Sequence, residues 1–283
     1  MTRTQHRWGR LFTLAVAAGS VCAAIAGLPA AATLRGPYRP GATRAPEASD
    51  DLPYAPVTPP PVTGIPAPCP ADHEFPAGSP AKAVAGLEKN WDVVLTGTQA
   101  ADPDYTPVVA AMWTTLDAID CTPMPTRLVH NAGGRLRIVA EPIPGWNHGD
   151  WSLSNPGALT FDLSKMAETS RKGEDERVVR LIVHELSHIY SADRGDNRAY
   201  WRDFTALNQR YGAVSEYGAG SDSEAFSEAV GYFVARCAVE PGRSGNPYAS
   251  SGDGRRELFA MVRDEVFGGR AFGPEPGQPV DCG

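Results

Sequence analysis

Hydrophobic residues recur at steps of three and four between positions 178 and 190, which is the pattern of an amphipathic helix. Glu174, Asp175 and Glu176 precede this pattern, and acidic side chains are favourable at a helix N-terminus. Gly195 follows it, and glycine favours helix termination. We therefore predict one helix of about 20 residues. Its apolar face would consist of Val178, Val179, Ile182, Val183, Leu186, Ile189 and Tyr190.

Similar patterns predict five further helices and three short strands. Ser79-Pro80 and Thr106-Pro107 each place a capping residue before proline, which is typical of a helix start. The predicted helices cover about residues 80–94, 106–119, 197–211, 221–233 and 255–267. Segments rich in Val, Ile, Leu and Phe predict strands at 126–130, 135–143 and 157–163. Helices, then a small sheet, then more helices indicate an α+β fold.

The N-terminal segment, residues 1–32, has the pattern of an export signal. Three arginines precede an apolar run from about Leu11 to Leu28, and small residues then offer a cleavage site after Ala32. A signal anchor that stays in the membrane is the alternative. The expected location is therefore secreted or extracytoplasmic, with membrane tethering if the segment is not cleaved.

Residues 33–68 are rich in Pro, Ala, Thr and Gly, and this composition predicts an extended linker. Residues 69–283 then form one folded domain, long enough to bury a sizeable core. The chain has 26 basic and 33 acidic residues. Without the signal, which contains three arginines and no acids, the balance is 23 to 33 and the charge is near −10. This charge argues against nucleic acid as a partner, and against a membrane partner if the signal is removed.

Four cysteines remain after the signal, and an even number in an exported chain suggests two disulfides. Three pairings are possible. We favour Cys69 with Cys121 and Cys237 with Cys282, because each pair would join a terminus of the domain to a nearby helix end. Four buried thiols or a cysteine metal site are the alternatives, although no Cys-x-x-Cys spacing is present.

Candidate metal-binding and catalytic residues lie on the helix predicted from the apolar pattern at positions 178–190. It contains His184-Glu185-x-x-His188, which places two imidazoles on one helical face with a carboxylate beside the first. Imidazole suits zinc, and a glutamate beside the metal can take a proton from an activated water. His130 and His148 have no partner at ligand spacing, so we interpret them as structural histidines.

A catalytic zinc usually has a third protein ligand, and the helix predicted at 221–233 offers two glutamates. We favour Glu224 as the ligand and Glu228 as a neighbour that orients a ligand histidine. Ser221-x-x-Glu224 is also a capping-box pattern, and in that alternative Glu228 would be the ligand. Trp146 and Trp151 lie in a glycine-rich loop that could line a cleft or cover the core.

These motifs together resemble the gluzincin zinc peptidases, within the group of anthrax lethal factor and the clostridial Pro-Pro endopeptidases. That group combines His-Glu-x-x-His with a downstream Glu-x-Phe-x-Glu-Ala helix, here residues 224–229, and a tyrosine seven residues before the ligand glutamate, here Tyr217. The match covers about residues 174–237. It implies a zincin-like domain, one zinc ion on His184, His188 and Glu224, and Tyr217 as the oxyanion donor.

The resulting expectation is an exported, monomeric zinc endopeptidase that acts on peptide or protein substrates, with Glu185 as general base. By resemblance, an edge strand would bind the substrate backbone. Two alternatives stay open. One is a disulfide-linked extracellular binding module with a structural zinc, and the other is a zinc amidase that acts on cell-wall peptides. An open metal position would argue against a structural zinc, which four protein ligands would close.

Overall fold

The structure is a computed structural model and describes residues 69–282 apart from 77, 153, 156, 197 and 240–244. The predicted signal and linker therefore lie outside the described residues. Within these residues the fold is mixed α+β, with eight α-helices and one four-stranded sheet. In chain order the elements are α1 Pro80–Trp91, β1 Val93–Thr96, α2 Thr106–Ile119, α3 Pro123–Asn131, β2 Leu136–Ala140, β3 Gly149–Trp151, β4 Ala158–Phe161, α4 Leu163–Arg171, α5 Asp175–Tyr190, α6 Ala199–Tyr211, α7 Asp222–Val234 and α8 Asp253–Glu265.

The sheet has the strand order β1-β2-β4-β3. The first three strands in this order run parallel, whereas β3 runs antiparallel to β4. The side chains of β2 alternate between buried and more exposed, so one face of the sheet packs against the helical core. β3 lies at the edge, where an unpaired backbone can accept a further strand.

The α5 and α7 helices pack closely against each other and form the centre of the helical core. The apolar face predicted for α5 is confirmed, because its seven side chains are all buried. Gly231 on α7 allows the close approach. A Cβ atom at this position would lie 3.1 Å from the Arg180 carbonyl oxygen on α5, which is tighter than ordinary packing.

Several predicted elements were wrong. Residues 126–130 lie in α3 and not in a strand, because the Thr122 hydroxyl caps the helix and proline follows at its first turn. The first helix ends at Trp91, where Asp92 adopts a left-handed conformation, and β1 follows. The α5 helix has 16 residues and ends at Tyr190, before a 3-10 turn. Neither β3 nor α4 was predicted.

Both predicted disulfides are confirmed. Cys69 bonds to Cys121 with a Cα–Cα distance of 5.5 Å, and Cys237 bonds to Cys282 with 5.6 Å. Two disulfides are consistent with an extracellular protein. Across the described residues, every helix is too short or too polar to cross a membrane.

Candidate metal centre

Three side chains from two helices meet where α5 faces the first turn of α7. Potential ligand atoms of His184, His188 and Glu224 all lie within 4.8 Å of one another. Glu224 Oε2 is 3.0 Å from His184 Nε2 and 3.5 Å from His188 Nε2. The four-residue spacing on α5 directs both rings to the same side. These residues therefore form a group that could hold a metal ion.

The polar atoms of this group fit a cation. Glu224 Oε2 is buried and makes no hydrogen bond, although buried carboxylate oxygens normally have a partner. Burial opposes protonation of His184, but the adjacent carboxylates of Glu224 and Glu228 outweigh it and raise its pKa to about 9. The two carboxylates thus favour positive charge at this point. A bound cation would replace the imidazole proton, because a histidine must be neutral to coordinate metal.

Residues around the group orient both imidazoles. Glu228 Oε1 lies 2.8 Å from His184 Nδ1, and Ser223 Oγ lies 3.1 Å from His188 Nδ1. Trp151 stacks on the His188 ring at a centroid distance of 5.3 Å. With Nδ1 of each ring held in this way, both Nε2 atoms stay directed towards Glu224.

The Glu228 side chain is fully buried, and both of its carboxylate oxygens accept hydrogen bonds. Arg180 donates a hydrogen bond to its Oε1, and Ser215 Oγ donates to its Oε2 at 2.7 Å. Burial alone would raise the pKa of Glu228, but the hydrogen bond with His184 and the charge of Arg180 lower it. Glu228 is therefore an ionised residue that orients His184, and it lies on the opposite side of that ring from the metal group.

The capping alternative is correct for Ser221 but not for the Glu224 side chain. Ser221 Oγ accepts a hydrogen bond from the Glu224 backbone N–H at 3.2 Å, so Ser221 does cap α7. The Glu224 carboxylate, however, lies against His184 and His188. The geometry thus favours Glu224 over Glu228 as the third ligand.

Glu185 is buried next to the group and directly below the edge strand. A Cβ atom added to Gly149 in β3 would come within 2.4 Å of the Glu185 carboxylate, so only glycine leaves room there. Burial raises the pKa of Glu185, while His184 and His188 act in the opposite direction. A carboxylate with a raised pKa is suited to accept and return a proton near neutral pH.

Tyr217 borders the same cleft from the segment before α7. Its side chain is 44% exposed, and its ring lies 5.7 Å from the His184 ring. Burial and the nearby charge of Glu224 raise the pKa of Tyr217 to about 12, so its hydroxyl stays protonated and able to donate. Trp146 contacts Tyr217 edge to face and is 71% exposed. With Trp151 on His188, both loop tryptophans line the cleft, and Trp151 also packs against the hydrophobic core.

Sequence reasoning missed the residues that support the centre. Arg180, Ser215, Ser223 and Gly149 reach it through long-range packing that no local motif indicates. Within the described part of the chain, neither of the two isolated histidines joins the metal group. His148 lines the adjacent pocket.

Comparisons with known proteins identify no relative. No family model matches the chain, and searches of curated proteins and of solved structures find no match either. The findings therefore define a mixed α+β domain with two disulfides and a His184, His188 and Glu224 group that could hold a metal ion.

Proposed function

We propose that this protein is an exported zinc-dependent endopeptidase of the gluzincin kind. One observation carries the proposal: Glu224 places a buried oxygen without a hydrogen-bond partner against the Nε2 atoms of His184 and His188. Two imidazoles and one carboxylate are a donor set of catalytic zinc. Within the described residues the group has three members, so a coordination position is left for water or substrate.

The remaining residues have roles that their positions support. Bound zinc would supply a Lewis acid that activates water and polarises the peptide carbonyl. Glu185 takes the proton from the attacking water and delivers it to the leaving amine. The protonated Tyr217 hydroxyl donates to the oxygen on which negative charge develops. Glu228 keeps His184 in the tautomer that presents Nε2.

The edge strand supports an extended peptide as substrate. β3 lies at the edge of the sheet, and Gly149 in this strand contacts Glu185. A peptide that pairs with β3 would hold its backbone above the general base and the metal group. Trp146 and Trp151 border this path and offer apolar surface to substrate side chains.

The experiment is a cleavage assay with a proteome-derived peptide library. The mature domain should cut peptides internally, lose activity with a chelator and regain it when zinc is added. Cut sites are read by mass spectrometry. His188→Ala should lose both zinc and cleavage, because two ligands hold zinc weakly. Cleavage that persists without metal, or the absence of any cleavage by the zinc-loaded protein, would refute the proposal.

A further inference from the structure

A pocket opens beside the metal group on the side of the first half of α5. Its lining includes Arg177, Arg180 and Leu181, which precede His184 by seven, four and three residues and therefore share its helical face. Trp146 and His148 also line it. The pocket also reaches Glu185 and Tyr217, so it is continuous with the site proposed for catalysis.

The basic side chains of this pocket retain hydrogen-bond donors. Arg177 uses NH1 for Glu174, and Arg180 uses NH1 for Glu228. The Nε atom of each arginine is buried and has no hydrogen-bond partner among the described residues, so a ligand in the pocket does not reach it. A guanidinium has five N–H donors, so the remaining terminal N–H groups are those that can bind a further carboxylate. Glu174 pairs with Arg177 but is not part of the pocket lining, so the Arg177 guanidinium lies between this ion pair and the pocket.

The charged side chains of the pocket lining are Arg177 and Arg180 together with Glu185 and Glu228, and Glu228 pairs with Arg180. Burial lowers the pKa of His148, and the positive charges of Arg177 and Lys165 lower it further. Lys165 also fixes the loop that carries the pocket wall, because its ammonium group donates to the carbonyl oxygens of Ile143 and Asn147. The loop beside the pocket is thus fixed in place, and the two guanidinium groups are the part of the lining that suits an anionic group.

The other half of the cleft has the opposite character. Beyond the metal group it is lined by Asp150, Trp151, Ser152 and Ser223, and its lining includes no arginine or lysine. The two halves meet at Glu185 and Tyr217, which border both. A bound peptide would therefore place residues on one side of its scissile bond near Arg177 and Arg180, and residues on the other side near Asp150.

The direction of β3 indicates which half of the cleft receives which side of the scissile bond. The basic pocket is bordered by Asn147 and the start of β3, and the acidic half by the end of β3 and Ser152. Antiparallel pairing is the more stable mode of strand addition. A peptide added to β3 in this mode would place the residue that follows the scissile bond in the basic pocket.

Building on the proposed peptidase function, we propose that Arg177 and Arg180 select a carboxylate on the leaving-group side of the scissile bond. The carboxylate can come from two sources. It is either the side chain of Asp or Glu directly after the bond, or the free C-terminus of a substrate that ends there.

The test compares kcat/KM for matched peptides. The first pair carries Glu or Gln after the scissile bond and has an amidated C-terminus. The second pair has a neutral residue there and ends either in a free carboxylate or in an amide. We expect a preference of at least about 10-fold for the carboxylate member of one pair, because hydrogen bonds to a charged group are stronger than neutral ones. The pair that shows it identifies the source.

Arg177 is the residue to change, because Arg180 supports His184 through Glu228. Arg177→Gln should reduce the preference at least several-fold, and Arg177→Glu should shift it towards Lys at the same position. Arg210→Gln is the matched control. It removes the same charge from a side chain on α6 that is 68% exposed and lies outside the pocket lining, so the preference should stay as in the wild type.

The outcomes separate this inference from the proposed function. Zinc-dependent cleavage with equal rates for both members of each pair, or an unchanged preference in Arg177→Gln, would overturn the carboxylate pocket and leave the peptidase intact. If nothing is cleaved, the peptidase proposal fails. Equilibrium binding of the same peptides, carrying a label for detection, then tests whether the pocket binds a carboxylate. Tighter binding of a carboxylate peptide that is lost in Arg177→Gln would support the pocket. Equal binding would refute it.

Discussion

Replacing Glu228 by alanine removes a carboxylate that links the metal group to the core. Glu228 is 0% exposed and bonds to His184, Arg180 and Ser215. The substitution therefore has two consequences that can be measured separately. His184 loses the partner that fixes its tautomer, and the buried Arg180 guanidinium loses its counter-charge.

Both consequences can be given a magnitude. Loss of a partner that orients a ligand histidine typically weakens metal binding by about 10 to 100-fold. Breaking a buried ion pair from one side costs about 3 to 5 kcal/mol, because the remaining charge has no partner. Arg180 is itself buried, so the upper part of this range applies. The double variant Arg180→Met and Glu228→Leu replaces both members of this ion pair. It should recover most of the stability but not the zinc affinity.

Zinc affinity is measured by competition with a chelating dye, and stability by urea unfolding of the metal-free protein. Glu216→Ala is the control, because it removes an exposed carboxylate from the segment before α7. Its zinc affinity should equal that of the wild type. An unchanged affinity in Glu228→Ala would refute the orienting role. A complete loss of zinc from Glu228→Ala, with zinc retained by Glu224→Ala, would instead identify Glu228 as the ligand.

Three further predictions concern other parts of the molecule. Cys69→Ser opens the loop closed by the bond to Cys121, with a separation of 52 residues, and should cost about 4 kcal/mol in denaturant unfolding. An unchanged midpoint would contradict it. Gly149→Ala should displace Glu185 and lower turnover by about 100-fold at unchanged zinc content. Full activity would disprove the close contact. Burial raises the pKa of Glu176 from 4.5 to about 7, so its ionisation destabilises the fold as pH rises through this window. Glu176→Gln should therefore raise the thermal midpoint at pH 8 and leave it unchanged at pH 4, whereas equal shifts at both would be inconsistent with this pKa.

The helices were predictable where local chemistry and packing agree. The α5 pattern of apolar residues follows directly from burial of one face, and the prolines after Ser79 and Thr106 mark the starts of α1 and α2 closely. Residues 126–130 form a helix and not the predicted strand, because Thr122 and Pro123 give the same Thr-Pro start signal to α3. β3 has three residues, which is too short for alternation to be recognised.

The candidate site was predictable in its ligand residues and unpredictable in its surroundings. The four-residue spacing of His184 and His188 reflects helix geometry, which is local in sequence. Glu224 lies on a second helix, and its own motif in the sequence indicated it. The contacts of Glu228 with Arg180 and of Gly149 with Glu185 join elements that are 36 residues or more apart. Such contacts depend on how the sheet edge and two helices pack, and a single sequence does not specify that packing.

The proton-transfer role of Glu185 is the centre of the functional account, and one comparison tests it most directly. Glu185→Gln keeps the size of the side chain and removes its basicity, and Glu185 is not a member of the metal-ligand group. Peptide cleavage by the wild type and by Glu185→Gln is measured at equal zinc occupancy. We expect the variant to hold about one equivalent of zinc and to lose at least about 100-fold in turnover. Full turnover in zinc-loaded Glu185→Gln would contradict the peptidase mechanism.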